Sequence, residues 1–426
     1  MTPTGSWATS PPFGYPLPAA LGAGGTDFLT EAFRAAGALD DGNAVARITQ
    51  FQEVPGGSTG RKLLLSVEYQ RPQPGLHRDL FVKFSRDLDD PARDRGKNQM
   101  ESEVRFASLS RAPGFPIAVP RPLFADYHRD TGIGILITER ILFGRNGTKR
   151  QYHKCRDDEM PEPLAHYRAL LTALGRLVGY HRSGRLPADT AAEFPVDLQA
   201  ATVGERAPVN PEKLQRRLAR LVDFTHAYPA LLPPNVRAPE FLARLHREAP
   251  HVLRHESAAW AHLAGVSDYL ALCHWNANVD NAWFWRDTGN TLHCGLMDWG
   301  CVSQMNVAMA IWGAMSGAET SLWNDHLDEL LHLFITEIRN SGGPPLVQAE
   351  LRSQVVLYAA IMGIAWLLGV PVLIRSGFGE SPNPLTRRDT RIKDDESVRA
   401  PLQMFTNFLN LWETHDFGGL LDAVLA

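Results

Sequence analysis

The stretch Cys273-His274-Trp275-Asn276-Ala277-Asn278-Val279-Asp280-Asn281, followed later by Met297-Asp298-Trp299-Gly300, decides how this chain is read. Each segment closes a short apolar run, YLALCHW in the first case and CGLMDW, after the turn DTGN, in the second. Short apolar runs bounded by turn residues read as strands. Polar side chains then gather at two adjacent strand ends. Hard divalent cations take oxygen ligands, and the carboxylate of Asp298 with the amide oxygen of Asn281 supplies them there. Cys273-His274 and His293-Cys294 fall on the same two segments, but their spacing matches no common zinc pattern.

Upstream of this stretch, residues 1 to 25 are rich in Pro, Gly, Ser and Thr and read as a mobile tail. Thr26 and Asp27 suit the cap of a short helix with Phe28, Leu29, Phe33 and Ala36 on its inner side. Strand-like segments follow at AVARITQFQEV, KLLLSVEYQ and DLFVKFS, then a helix at MESEVRFASLSRA and strands at PRPLFADYHRD and GIGILITERI. The turn Gly56-Gly57-Ser58-Thr59-Gly60 joins the first two strands, and glycines there let backbone N–H groups approach an anion closely. Lys83 stands inside the apolar run LFVKF, a costly place for an ammonium without a task or a partner. From about Gly144 the periodicity turns helical, led by HYRALLTALGRLVGYHRSG with Leu170, Leu174, Leu177 and Val178 on one face.

The segment around Asn276 resembles the HGDxxxxN loop of the aminoglycoside phosphotransferase and choline kinase-like enzymes. Leu296 to Trp299 is similar to their I-D-W or I-D-F metal motif. The resemblance runs from about residue 26 onward through the order of the elements. It implies an α+β, two-lobed protein kinase-like fold: an antiparallel-sheet lobe over 26 to 143 and a larger helical lobe over 144 to 426, with a nucleotide cleft between them. It further implies ATP and Mg2+. By resemblance Lys83 contacts the α- and β-phosphates, and Glu103, in the pattern E-V-x-F, pairs with that lysine in preference to Glu101. Gly56, Gly57, Ser58, Thr59 and Gly60 cover the phosphates, and Glu139-Arg140-Ile141 is the hinge whose backbone bonds adenine. Asn281 and Asp298 hold the metal, and His274, Asn276 and Asp298 form the catalytic set, with a small hydroxylated molecule as acceptor in the helical lobe.

The chain departs from that pattern at the catalytic position, where the family has aspartate and this sequence has Asn276. An amide accepts a hydrogen bond but takes no proton near neutral pH. Trp275 replaces the usual glycine after the histidine, which would narrow the site or add to an acceptor pocket if it does not simply pack in the core. Asn306 stands near where an aspartate often braces the loop. An ATP-dependent phosphotransferase of reduced activity, a nucleotide-binding pseudokinase and a nucleotidyl transferase are therefore all compatible readings.

Bulk properties narrow the field further. The 426 residues suit two domains. A net charge of −4 without a long basic block argues against a nucleic-acid partner. Four cysteines without a C-x-x-C pair, and the lack of a basic start followed by an apolar run, lead to the expectation of reduced thiols in the cytoplasm. Val355 to Ile374 is uncharged and about long enough to span a membrane, but Gly363, Gly369 and Pro371 interrupt it. It reads as a helix buried in the larger lobe, so no membrane association is expected.

Overall fold

The computed structural model of the chain describes residues 18–55, 60–86, 93–201, 209–379 and 385–425. It divides into two compact units. The first takes in Met1–Lys149, Leu186–Phe194 and Gly295–Val302, and the second Arg150–Arg185, Pro195–Cys294 and Ser303–Ala426.

The first unit opens with helix α1 (Pro18–Ala35), which begins well before the expected cap at Thr26. The Thr30 hydroxyl donates to the Thr26 carbonyl at 2.7 Å and accepts the Val45 N–H at 2.9 Å, tying helix to sheet. Strands β1 (Val45–Val54), β2 (Gly60–Tyr69), β3 (Asp79–Ser85), β4 (Pro122–His128) and β5 (Ile133–Glu139) form one antiparallel sheet in the order β1-β2-β3-β5-β4. Helix α2 (Arg93–Leu109) lies between β3 and β4 in sequence.

Side chains alternate across a strand, so the two faces of β3 meet different neighbours. Leu80, Val82 and Phe84 join Leu29 and Phe33 of α1 and Leu63 and Leu65 of β2 in one core. Each such fully buried side chain contributes about 1.5–3 kcal/mol relative to exposure. The opposite face carries a smaller cluster of Met100, Val104 and Ala107 from α2 with Leu136 of β5. Lys83 pairs with Leu136 across the ladder and therefore faces α2. The turn residues Gly56, Gly57, Ser58 and Thr59 lie outside the described residues, and Gly60 opens β2.

The second unit is mainly helical. Helix α3 (Pro163–Arg182) buries Leu170, Leu174, Leu177 and Val178 as its periodicity requires, and packs on the helix Thr320–Asn340. Four short strands occur among the described residues of the later chain: β6 (Leu270–His274), β7 (Ala282–Arg286), β8 (Leu292–Leu296) and β9 (Val302–Asn306). Two of these, β7 and β9, are missing from the sequence expectation. β6 pairs with β9 and β7 with β8, so the segments expected to be adjacent strands, β6 and β8, are not hydrogen-bonded to each other. The turn DTGN joins β7 to β8, with Asn290 N bonded to Asp287 O at 3.0 Å and Asn290 at φ +66°.

The apolar stretch expected as one buried helix breaks in two. The helix Gln348–Ala365 ends at Trp366, a short turn follows, and Pro371 starts the helix Val370–Phe378. Gln348–Phe378 is long and apolar enough to cross a membrane by composition, yet 78% of its most apolar window is buried inside the protein.

Candidate active site

Two sets of the sequence-predicted residues are assembled, one in each unit. In the first unit, Lys83 is 1% exposed, and its Nζ donates to Glu103 Oε2 at 2.5 Å and to Asp298 Oδ1 at 2.8 Å. Burial pushes the ammonium's pKa down, but the carboxylates of Glu103 and Asp298 outweigh it and the net shift is upward. Burial also raises the Glu103 carboxyl above its ordinary value against the pull of Lys83. Glu101, the alternative on the same helix, is engaged elsewhere, by Arg105 and by Arg129 at 3.2 Å.

Asp298 reaches this set because the segment Gly295–Val302 belongs to the first unit. Gly295 bridges Ala118 in parallel, and Leu296 N bonds Ala118 O at 3.0 Å. Trp299 stacks on Phe106 of α2 with centroids 3.7 Å apart and donates its indole N–H to Leu296 O at 2.9 Å. Asp298 itself sits in the left-handed region at φ +61° and ψ +63°, a conformation aspartate tolerates better than most residues. Its side chain is 38% exposed, against 2% for Lys83. At the end of β5, Glu139 accepts the Arg121 N–H at 3.0 Å and lies 3.0 Å from His77 Nδ1, so its side chain is engaged within the sheet. Ile141 follows with no backbone hydrogen bond to another described residue.

In the second unit, the loop after β6 is an asparagine network. His274 is fully buried, and its Nδ1 accepts the Asn276 N–H at 3.2 Å, which puts the proton of the neutral ring on Nε2. Asn281 Nδ2 donates to the Asn276 carbonyl at 2.9 Å, and Asn278 Nδ2 donates to Asn276 Oδ1 at 2.8 Å. Asn281 thereby has its side-chain oxygen left over, and that oxygen accepts no hydrogen bond from the other described residues. Lys154 is the residue that the sequence reading missed. Its Nζ lies 3.4 Å from Asn276 Oδ1 and 3.6 Å from Asp280 Oδ2. It stands 122 positions from Asn276, and no local spacing announces it.

Around this loop the core-packing alternative holds for Trp275, and the expectation for Asn306 is corrected. Trp275 is 4% exposed and donates its indole N–H to Tyr358 OH at 2.7 Å, so it anchors the loop in the core. Asn306 braces nothing in the loop. Its oxygen caps the helix Val307–Met315 through Ala308 N at 2.9 Å, and its Nδ2 donates to Leu263 O and Gln354 Oε1. Among the described residues no group of three or more His, Cys, Asp and Glu forms a metal cluster. Cys155, Cys273 and Cys294 are buried outside any disulfide, and burial raises the pKa of each thiol.

No protein-family model matches this chain, and no curated protein is significantly similar to it. Solved structures are. One is a choline/ethanolamine kinase family protein from Mesorhizobium loti, at 16% identity and TM-score 0.38 over 88% of this chain and 98% of that one. Another is an ethanolamine kinase from Plasmodium vivax, at 12% identity and TM-score 0.40 over 84% and 81%. A third is the GDP complex of aminoglycoside 2'-phosphotransferase-IIIa, at 11% and 0.38 over 85% and 93%. The similar structures are small-molecule kinases. At such identities and TM-scores the likeness carries no argument for this chain's activity. The α+β class is visible directly in the five-stranded antiparallel sheet and the mainly helical remainder.

Proposed function

We propose that the chain transfers a phosphoryl group from ATP to a small-molecule acceptor, with residues 26 to 143 serving the nucleotide and 144 to 426 carrying the catalytic-loop and metal motifs and the acceptor site, Asp298 of that stretch folding into the first unit. One observation carries this: a nearly inaccessible ammonium, Lys83, bridging Glu103 and the partly exposed Asp298. A lysine enclosed this way gains nothing by burial alone, since replacing such a set with apolar residues is often neutral or stabilising. Its placement suits a charge held ready for phosphate oxygens, with Glu103 fixing the ammonium.

By donor type, each of the two candidate ligands suits magnesium. Asp298 offers a carboxylate and Asn281 an amide oxygen, and magnesium typically takes only one or two protein ligands beside phosphates and water. When bound, the metal supplies neutralisation of phosphate charge. The hinge role of Glu139 and Ile141 rests on the Ile141 backbone, which lacks described partners. Gly56, Gly57, Ser58, Thr59 and Gly60 remain the proposed phosphate cover. A cytoplasmic setting is part of this proposal, on the sequence's four cysteines without a C-x-x-C pair.

The test is thermal unfolding with and without Mg-ATP. A ligand at a hundredfold excess over its Kd stabilises by about 2.7 kcal/mol, and Asp298→Ala is expected to abolish the metal-dependent part. An unchanged melting temperature of the native protein in Mg-ATP overturns the proposal. A second reading, a nucleotide-binding pseudokinase, is favoured by Asn276, which cannot accept a proton. It predicts Mg-ATP binding without turnover on any acceptor.

A further inference from the structure

We infer that the acceptor is an oxyanion, a carboxylate or a phosphate, and not a neutral hydroxyl. This rests on the phosphotransferase reading above and names its substrate class. The observation is the orientation of the Asn276 amide. A lysine ammonium has donors and no acceptor, so the Asn276 atom facing Lys154 Nζ at 3.4 Å is the oxygen. Asn278 Nδ2 donates to the same oxygen at 2.8 Å. The Asn276 oxygen thus accepts twice from within the protein, and the N–H2, which only donates, makes no hydrogen bond to another described residue.

A hydroxyl nucleophile needs the opposite. Its proton must go to an acceptor as the new bond forms, and Asn276 has neither an unused acceptor atom nor basicity. An oxyanion has already lost its proton at neutral pH and asks only for donors and positive charge. Asn276 supplies the donors and Lys154 the charge. The carboxylate of Asp280 forms an ion pair with Lys154 Nζ at 3.6 Å, longer than the 3.4 Å contact to Asn276, and offsets part of that charge.

The chemistry balances without a base. An electron pair of the acceptor oxyanion forms a bond to the γ-phosphorus of ATP. The bond from that phosphorus to the β,γ-bridging oxygen breaks, and its pair leaves on ADP. No proton changes hands in the step. The products are ADP and an acyl phosphate from a carboxylate, or a phosphoanhydride from a phosphate.

The experiment follows ADP release by the full chain with Mg-ATP against three sets of acceptors. Acetate and glutamate are run with hydroxylamine to trap acyl phosphate as hydroxamate. Inorganic phosphate is run with pyrophosphate detection. Ethanolamine, glycerol and kanamycin form the hydroxyl set. Stimulation by the first or second set, with the matching product, is expected, and the product tells carboxylate from phosphate. Lys154→Gln should raise KM for that acceptor by roughly tenfold or more, the worth of a charge-assisted hydrogen bond, with kcat changed far less. Lys154→Arg, which keeps the charge, should restore most of it. ADP release with the hydroxyl set alone overturns the inference and leaves the phosphotransferase reading standing. No ADP release with any acceptor overturns both.

Discussion

Lys83 Nζ lies 2.8 Å from Asp298 Oδ1 across 215 positions of sequence, and the same ammonium holds the buried Glu103 at 2.5 Å. Of the two carboxylates only Asp298 has appreciable access to water, at 38% side-chain exposure against 7% for Glu103. Removing the lysine therefore strands Glu103 and merely hydrates Asp298. Lys83→Met should destabilise the protein by about 3–5 kcal/mol, the cost of breaking a buried pair from one side. Adding Glu103→Gln, which removes the stranded charge, should recover a large part. Urea unfolding of both variants measures this, and a Lys83→Met variant within about 0.5 kcal/mol of native would show that the pair is not buried in solution.

The triad shows what the sequence made legible. Lys83 was conspicuous because an ammonium in the run LFVKF demands a partner, and the E-V-x-F pattern pointed to Glu103 over Glu101. The run DLFVKFS coincides with the observed strand, Asp79–Ser85. Long-range geometry was less accessible. Lys154 lies in an irregular segment before α3 and shows no periodicity or motif, so only the folded chain brings it to Asn276. β7, with the sequence AWFWR, was missed although Trp283 and Trp285 alternate as strand residues do. β9, VSQMN, matches β6 and β8 in length but lacks their apolar run, so no strand pattern marks it. Missing both also hid that β6 pairs with β9 and not with β8. Local sequence leaves Trp275 open between site and core, because nothing near it announces Tyr358 as the acceptor of its N–H.

The loop carrying Asn276 is held from behind by a helix. A Cβ placed on Gly313 would come within 1.6 Å of the Trp275 carbonyl oxygen, a backbone atom that cannot turn aside. Gly313→Ala must therefore displace either the helix Val307–Met315 or the loop. Overpacking of this kind costs about 1–3 kcal/mol or more. Thermal unfolding should show the loss, and any turnover should fall beyond what the lower stability explains, because the Asn276 network shifts with Trp275. An unperturbed Gly313→Ala variant would contradict this packing.

Asp157 sets a pH dependence of stability. It is 3% exposed, accepts Glu319 N at 3.0 Å and Tyr167 OH at 3.3 Å, and burial pushes its carboxyl up to about 7. A carboxyl raised in the folded state keeps a proton that the unfolded chain releases. Its contribution is complete below the unfolded value near 3.8 and is lost as pH rises through about 7. Across that window stability should fall by up to about 1.4 kcal/mol per pH unit from this group. Asp157→Asn keeps an oxygen for Glu319 N–H and titrates nowhere. Urea unfolding at several pH values should show a flatter profile for the variant. Parallel profiles would remove Asp157 as the cause.

The substitution that separates hydroxyl from oxyanion chemistry is Asn276→Asp. One carboxylate oxygen takes the place of Asn276 Oδ1 and keeps the contacts from Asn278 Nδ2 and Lys154 Nζ, now charge-assisted in the latter case. The second oxygen replaces the N–H2, so a donor becomes an acceptor with a negative charge. The change is nearly isosteric, and stability should stay within about 0.5 kcal/mol of native. For an oxyanion acceptor it removes hydrogen bonds and adds like-charge repulsion, so kcat/KM should fall by roughly tenfold or more. For a hydroxyl acceptor such as ethanolamine it installs a base, a change worth roughly 100- to 10,000-fold in favourable geometry. The variant should thus lose activity with acetate or phosphate and gain it with hydroxyls, the gain declining at low pH as the new carboxylate protonates. Steady-state ADP release for both proteins, each with both acceptor classes from mildly acidic to mildly basic pH, measures all four rates. A rise with both classes would mean that Asn276 merely weakens an ordinary base-catalysed site, and the donor role assigned to its amide would be wrong.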